Sequence, residues 1–249
     1  MNANKEEFAY TKEINNATVN VVVESGVITN QLVKKDVENV RTAVYIEKAI
    51  KRFIDIIGGL VGCIILIPLM ACIKVANIIA KDNGPLFYTQ TRIGKDGKEF
   101  KLYKFRSMVV GADEKLKDYL EKNEEAREEY NTYKKLKNDP RITKVGHFIR
   151  NTSLDEFPQF INVLKGEMSL VGPRPYLPRE KEDMGIMVGT ITNMKPGITG
   201  LWQVSGRSDV TFKERLGMDR EYYYNWSLKW DIKILLRTVK NCVLRKGAI

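Results

Sequence analysis

The sharpest change in the hydrophobic pattern is a run of eighteen residues, 56–73, without one charged side chain. That length meets the lower limit for a membrane helix. Lys51 and Arg52 precede it, Lys74 and Lys81 follow it, and Pro68 lies past its middle. A simple spanning helix carries its basic excess on the cytoplasmic side alone. Basic residues at both ends, with a charge-rich chain downstream, favour a helix broken at Pro68 that enters and leaves on one face. The reading is therefore a re-entrant membrane helix over residues 46–81. A spanning helix, which also tolerates proline, and a soluble core helix are the alternatives. Residues 1–45 are polar and read as an N-terminal tail or linker, with a short strand where Val19, Val21 and Val23 alternate with their neighbours. No apolar stretch follows M-N-A-N-K-E-E closely enough to make a signal peptide.

Downstream the period changes. Residues 86–91 and 100–105 alternate as strands, and Gly94-Lys95-Asp96-Gly97 joins them as a hairpin. Lys101, Lys104 and Arg106 would leave this ribbon as a basic row, or merely as a solvated edge. Residues 112–136 are dense in Glu and Lys, with a thin stripe of Leu116, Tyr119, Leu120, Tyr130 and Tyr133, and read as one solvent-facing amphipathic helix. Residues 139–150 return to turn chemistry and supply Arg141 and Arg150. The block 195–207, K-P-G-I-T-G-L-W-Q-V-S-G-R, reads as a tight loop whose backbone can approach a ligand, with Gln203 and Arg207 as its donors. Residues 222–245 form an amphipathic helix. Leu228, Ile232, Leu235, Leu236, Val239 and Val243 make its apolar face, beside Lys229, Lys233, Arg237 and Lys240. Trp226 and Trp230 near its start suit a helix lying in a membrane interface; packing on the protein's own core is the equal alternative.

Charge sharpens this picture. Forty-one Lys and Arg against 31 Asp and Glu give +10, which points to phosphate-bearing partners. The single histidine, His147, excludes a multi-histidine metal site, and the three cysteines have no metal spacing.

Candidate chemistry concentrates in residues 152–175, T-S-L-D-E-F-P-Q-F-I-N-V-L-K-G-E-M-S-L-V-G-P-R-P. Leu154, Phe157, Ile161 and Leu164 share a helical face. Ser153 and Glu156 fit a capping box, although Pro158 sits late for it and can move the start a few residues on. In either register Asp155 and Glu156 lie at a helix N-terminus, where the dipole favours ionised carboxylates. An ionised Asp can act as a nucleophile and a neighbouring Glu can bind a divalent cation. First-turn acids are also ordinary capping residues. Arg174, stiffened between Pro173 and Pro175, is placed to take a phosphate.

Taken in order, the broken apolar helix, G-P-L-F-Y-T-Q-T-R-I-G, Y-K-F-R-S-M, D-P-R-I-T-K-V-G, S-L-D-E-F-P-Q, G-P-R-P and P-G-I-T-G-L-W-Q-V-S-G-R resemble the bacterial sugar transferases, the monotopic polyprenyl-phosphate phosphoglycosyl transferases. The resemblance covers about Lys48 to the C-terminus. It implies an α+β fold: a membrane-inserted re-entrant helix plus a compact cytosolic catalytic domain, residues 82–249, with interfacial amphipathic helices and a small β-hairpin. It makes Asp155 the nucleophile and Glu156 the support for Mg²⁺. Lys104, Arg106, Arg150 and Arg174 match basic positions of the family's active site. Arg141 and Arg207 join them as phosphate contacts and Gln203 as a substrate contact. The reaction implied is attack of Asp155 on the β-phosphorus of a UDP-sugar, release of UMP, and passage of the phosphosugar to a polyprenyl (undecaprenyl) phosphate. That is the initiating step of exopolysaccharide, capsule, O-antigen or glycoprotein glycan assembly, at the cytoplasmic face of the inner membrane. The family often has Ser before the helix-breaking proline; this chain has Ile67.

The partners implied are the UDP-sugar, the polyprenyl phosphate and the membrane, with a homodimer left open and nucleic acid absent. A basic membrane-surface scaffold without catalysis would explain the charge and the apolar run, but not G-P-R-P together with the Asp-Glu pair. A nucleic-acid binder would explain +10 but not the apolar helix.

Overall fold

The structure is a computed structural model. It describes the backbone of residues 8–14, 17–23, 31–133, 136–205 and 210–243, and the side chains of those among them that lie within 42–241. Two compact units are present, Met1–Ile50 and Lys51–Ile249.

In the first unit β1 (Phe8–Ile14) pairs antiparallel with β2 (Ala17–Val23), Phe8 opposite Val23 and Ile14 opposite Ala17. The valine alternation is thus a strand, and its partner is the mixed stretch F-A-Y-T-K-E-I, which carried no clear period. Helix α1 (Gln31–Ile79) begins inside the segment read as a tail.

Helix α1 stays helical through Pro68. The break expected there is not a break in the helix: Pro68 lies on the exposed side, and buried Leu66 and Ile73, with Leu69 and Met70, hold the turns on either side of it in one apolar cluster. From Lys51 onward the helix is part of the second unit and packs within it. Gly58, Gly59 and Gly62 let it approach closely. A methyl group on Gly59 would come within 2.7 Å of Leu164, and one on Gly62 within 2.2 Å of the Phe160 ring. Lys51 and Arg52, read as the basic flank of a membrane segment, point inward. Arg52 donates to the carbonyls of Val163 (2.7 Å) and Leu164 (3.0 Å), and Lys51 to that of Val171 (2.9 Å). Asp55 accepts from Ser169 Oγ and Leu170 N.

The ribbon is as expected within two residues: β3 (Phe87–Ile93) pairs antiparallel with β4 (Glu99–Phe105). Lys104 faces Tyr88 and Lys101 faces Thr91, so their odd spacing puts them on opposite faces and the expected basic row is split. Phe105 stacks on Phe87 at 5.4 Å, closing the cluster beneath α1 with Leu66, Ile73 and Ile149.

The Glu- and Lys-rich stretch is two helices rather than one, α2 (Ala112–Lys122) and α3 (Glu124–Tyr133). Asn123 breaks the run by leaving helical geometry and accepting from Ala126 N as a cap. The stripe residues Leu116, Tyr119, Leu120 and Tyr130 pack between these helices with Ala126 and Leu136. Helices α4 (Lys144–Asn151) and α5 (Gln159–Lys165) follow, then β5 (Ser169–Val171). Short helices α6 (Lys181–Met184) and α7 (Met187–Thr192) lead to β6 (Gly197–Thr199), which runs parallel to β5, and to α8 (Leu201–Ser205). The glycine-rich block read as a loop is therefore a strand and a helical turn. Its glycines allow the parallel pair to form: a methyl group on Gly197 would stand 2.1 Å from Gly172 N.

Two helices end the described chain, α9 (Phe212–Tyr224) and α10 (Leu228–Val243). The single helix expected from Tyr222 is interrupted at Asn225–Ser227. In α10, Ile234 faces the core with Leu235 beside it, while Ile232, Leu236 and Val239 are exposed alongside Lys229, Lys233, Arg237 and Lys240. The helix thus has a core face and a second, solvent-facing apolar stripe. The described residues are α+β, helices with three two-stranded pairs among them.

Candidate active site

The carboxylate pair sits on a turn held from both sides. Thr143 caps α4 by accepting from Gly146 N, and α4 ends at Asn151. Ser153 then adopts φ 56°, a left-handed conformation, and Leu154–Glu156 form a 3₁₀ turn before Pro158 and α5. The expected capping box does not form, because Ser153 at positive φ makes no side-chain cap. The helix starts at Gln159, the later of the two registers. Leu154 and Phe157 pack into the cluster with Phe105 and Ile149, and this anchorage fixes the turn that carries Asp155 and Glu156.

Lys104, from β4, lies between the two acids. Its Nζ is 2.8 Å from Glu156 Oε1 and 3.7 Å from Asp155 Oδ2. Arg150, from α4, donates from Nε to Ser107 Oγ at 2.8 Å, and its charge also acts on Asp155. The side chain of Asp155 is 11% exposed against 33% for Glu156, so the pair is unequal: one acid faces inward and the other meets solvent. Burial pushes the Asp155 carboxyl above the usual carboxylate range, with Lys104 opposing, Glu156 adding and Arg150 opposing. The helix-end dipole was expected to favour the ionised form; here desolvation wins, because the group is buried and stands before a short helix.

A testable consequence follows from the sign. A buried carboxylate that must be ionised to react loses activity as pH falls through its raised pKa. The acid limb of the pH–rate profile should lie above the ~3.9 of a free aspartate. Lys104→Gln removes the largest opposing charge, so its limb should move further alkaline in addition to any fall in the plateau. A limb unmoved by the substitution would separate Lys104 from the ionisation of Asp155.

The remaining sequence-derived residues divide. Arg106 is buried and committed: it donates to Pro85 O, Met108 O and Asp82 Oδ1 (2.7 Å), and this last bond holds the Asp82 carboxyl below its usual range. Arg141 is locked onto Asp139 through Nε (2.8 Å) and Nη2 (2.6 Å). Through these bonds each guanidinium is held in one orientation. Gln203 donates to Ile198 O. Arg207 lies outside the described residues.

Arg174 lies among other cations and aromatic rings. Its backbone N–H donates to Asp219 Oδ2, its Nη2 is 3.5 Å from Glu180 Oε1, and its guanidinium lies 5.7 Å from the Tyr176 ring and 5.9 Å from that of Trp202. Arg215 covers Trp202 at 4.6 Å. Arg92 donates to Pro175 O, and its charge and that of Arg174 act on each other. Asp219 is buried and its carboxyl is pushed up to about 7, chiefly by burial. Sequence reasoning missed Arg92, Trp202, Arg215 and Asp219. Arg92 and Trp202 lay inside quoted motifs, but Arg215 and Asp219 fall in a mixed stretch where a charged residue reads as surface.

Among the described residues no group of three or more His, Cys, Asp or Glu is gathered for a metal. The dyad nevertheless fits Mg²⁺, which takes one or two carboxylates and completes its shell with water and substrate phosphates. Lys104 against the partly exposed Glu156 shows that a cation is already favoured at that oxygen.

The bacterial sugar transferase family description matches residues 46–245. The undecaprenyl-phosphate galactose phosphotransferase of Salmonella typhimurium is 50% identical over 199 residues, covering 80% of this chain and 41% of that protein. The UDP-galactose-lipid carrier transferase of Erwinia amylovora is 48% identical over 199 residues, with the same shares. The exopolysaccharide production protein ExoY of Rhizobium meliloti is 41% identical over 198 residues, 80% of this chain and 87% of its own length. The chain thus spans about two fifths of the first two relatives. Because the family match takes in the apolar run, the ribbon, the dyad and the arginine centre alike, this chain belongs to the bacterial sugar transferase family.

Proposed function

We propose that the chain transfers a sugar-1-phosphate from a UDP-sugar to a polyprenyl phosphate, releasing UMP. The observation that carries this reading is a buried aspartate, Asp155, set against Lys104 and Arg150 beside a solvent-facing Glu156. The names of the relatives make UDP-galactose the first donor to test and undecaprenyl phosphate the acceptor. Initiation of exopolysaccharide or capsule assembly is the process this step would serve.

Asp155 attacks the β-phosphorus, and the bond from that phosphorus to the bridging oxygen breaks. The bridging oxygen leaves with UMP, and the phosphosugar stays on the carboxylate as an acyl phosphate. An oxygen of the polyprenyl phosphate then attacks the same phosphorus and frees Asp155, giving a diphosphate-linked sugar. Lys104 and Arg150 offset the charge gathered around the diphosphate. Glu156, with Asp155, would hold Mg²⁺, which withdraws charge from the phosphates when bound.

The reaction belongs at a membrane surface. Helix α1 is long and apolar enough to cross a bilayer, yet residues from Lys51 to Ile73 lie against the catalytic part. A helix packed along a charged domain in this way suits a chain whose catalytic part sits against one membrane face, which we take to be the cytoplasmic one. The exposed stripe of Ile232, Leu236 and Val239 with its basic flank supports α10 lying in the same interface. Membrane vesicles carrying the full chain test both parts. Sealed inside-out vesicles should release UMP from UDP-galactose or another UDP-sugar and load the lipid; sealed right-side-out vesicles should do neither. Absence of UMP release from every UDP-sugar in inside-out vesicles would refute the function, and equal activity in both orientations the topology.

A further inference from the structure

The aromatic side chains of the β3–β4 ribbon are partnered, with one exception. Phe87 stacks on Phe105, and Phe100 packs in a buried cluster with Leu102, Val163 and Met168. Tyr103 accepts a hydrogen bond from Lys165, whose ammonium also lies over its ring. Tyr88 is the exception. It is 41% exposed, and among the described residues its hydroxyl has no hydrogen-bond partner and its ring no ring contact. Single exposed aromatics are common on strands, where they suit a half-buried surface. What sets Tyr88 apart is its surroundings.

Tyr88 faces Lys104 across the ribbon, and residues paired in this way project from one face with their Cβ atoms ~5 Å apart. Lys104 is the residue that reaches both Asp155 and Glu156. Further along β3, on the same face as Tyr88, comes Arg92. The charges that act on the Tyr88 hydroxyl come from Asp113 on α2, from Arg92, from Arg179 in the turn Pro178–Glu180, and from Arg141. Burial pushes this hydroxyl up, Asp113 adds to the push, and the three arginines oppose it. Arg141 in turn acts on Arg150, and Arg150 on Asp155. A series of cations thus leads from the nucleophile, past Lys104, Arg150 and Arg141, to an open aromatic ring.

A ligand that fits such a series carries phosphate in one part and a flat ring in another. We propose that Tyr88 stacks on the uracil ring of the UDP-sugar and so positions the donor, with the diphosphate along the cations and the β-phosphorus at Asp155. The proposal rests on the transferase reading. The base is the part of the donor that suits this place. The sugar is bonded to the attacked phosphate group and stays beside Asp155, whereas the α-phosphate and ribose hold the base away from it. The ring face of Tyr88 carries the contact, since every base offers a π-face and stacking needs no hydroxyl. The base is remote from the bonds that change, so the contact is the same before and during the chemical step. It acts on donor binding rather than on the rate of that step.

The test uses the full chain in detergent, with Mg²⁺, polyprenyl phosphate, and UDP-galactose or whichever UDP-sugar it turns over. Tyr88→Thr keeps a strand-forming residue and removes the ring. Its KM for the UDP-sugar should rise about tenfold with kcat much less affected, the scale of one lost base–aromatic stack. Tyr88→Phe should restore the wild-type KM. Binding of UMP alone, followed by calorimetry without donor or lipid, should weaken by about the same factor in Tyr88→Thr, because UMP carries the base and no sugar. If Tyr88→Thr does not fold, Tyr88→Leu takes its place. Wild-type KM and wild-type UMP affinity in the ringless variant overturn the proposal, as does a fall in kcat with KM unchanged. A raised KM with wild-type UMP affinity would put the ring against the sugar and overturn the uracil assignment. Ring-dependent UMP binding by a chain that releases no UMP from any UDP-sugar would instead refute the transferase reading and leave the base contact standing.

Discussion

Asp155→Asn should abolish UMP release from UDP-sugar, with or without lipid acceptor, by at least about a thousandfold. Asparagine keeps the size of the side chain and leaves Lys104 on Glu156, so the turn at Leu154–Glu156 should stand. What is lost is the attacking oxygen charge. Stability should not suffer. A carboxyl raised by burial binds its proton more tightly in the folded than in the unfolded chain. The wild type therefore loses stability as pH rises from ~3.9 through the raised value, and the amide does not. The asparagine variant should melt at or above the wild-type temperature near neutrality while failing to turn over. Turnover near wild type would remove Asp155 from the chemistry.

The largest effect on stability is expected at Asp231, far from the dyad in sequence and function. This side chain is 5% exposed and gathers three donors: Lys51 Nζ at 2.6 Å, Tyr222 OH at 2.5 Å and Trp226 Nε1 at 3.2 Å. Lys51 and Tyr222 also reach Val171 O, so one carboxylate ties α1, α9, α10 and the strand that leads into Pro173-Arg174-Pro175. Asp231→Ala leaves the Lys51 charge buried and partly unpaired, which costs about 3–5 kcal/mol. For a unit of this size that is a fall in Tm of about 10 °C. Asp231→Asn keeps an acceptor and should cost less. Thermal unfolding followed by circular dichroism checks both; an unchanged Tm in Asp231→Ala would show that the α1–α10 junction is not a structural bond. UMP release should decline with the fold rather than ahead of it.

Much of this architecture was legible because local chemistry agrees with the tertiary result. The ribbon of β3 and β4 combines alternation with a Gly-Lys-Asp-Gly turn, and neither signal depends on distant residues. The apolar run announces a helix by length alone. The parts that were not legible depend on long-range partners. The parallel pair of β5 and β6 has three residues a strand and joins positions 169 and 197, a pairing no local period encodes. Asn123 ends a helix whose stripe runs on unbroken, because its cap outweighs continuation there. Ser153 fits a capping box by spacing, yet its positive φ turns the chain so that the helix begins beyond Pro158. At the site, the Asp-Glu pair and Arg174 stood out through their motifs. That Lys104 lies within 3.7 Å of both acids is a product of β4 crossing beside the turn. Arg106 has the same motif-level appearance, but three of its donors go to Pro85, Met108 and Asp82, partners that no motif announces. Arg92 and Arg215 show the converse, ordinary in sequence yet each with a buried Nε that has no hydrogen-bond partner among the described residues.

The central claim is that the sugar phosphate passes through a covalent bond to Asp155. Mass measurement of the intact wild-type chain after mixing with UDP-sugar and Mg²⁺, in the absence of lipid, tests it most directly. The account predicts a mass gain of one phosphosugar, located by peptide mapping on Asp155, lost on addition of polyprenyl phosphate and never formed by Asp155→Asn. An unmodified chain that still loads the lipid, or an adduct on Glu156, would contradict it.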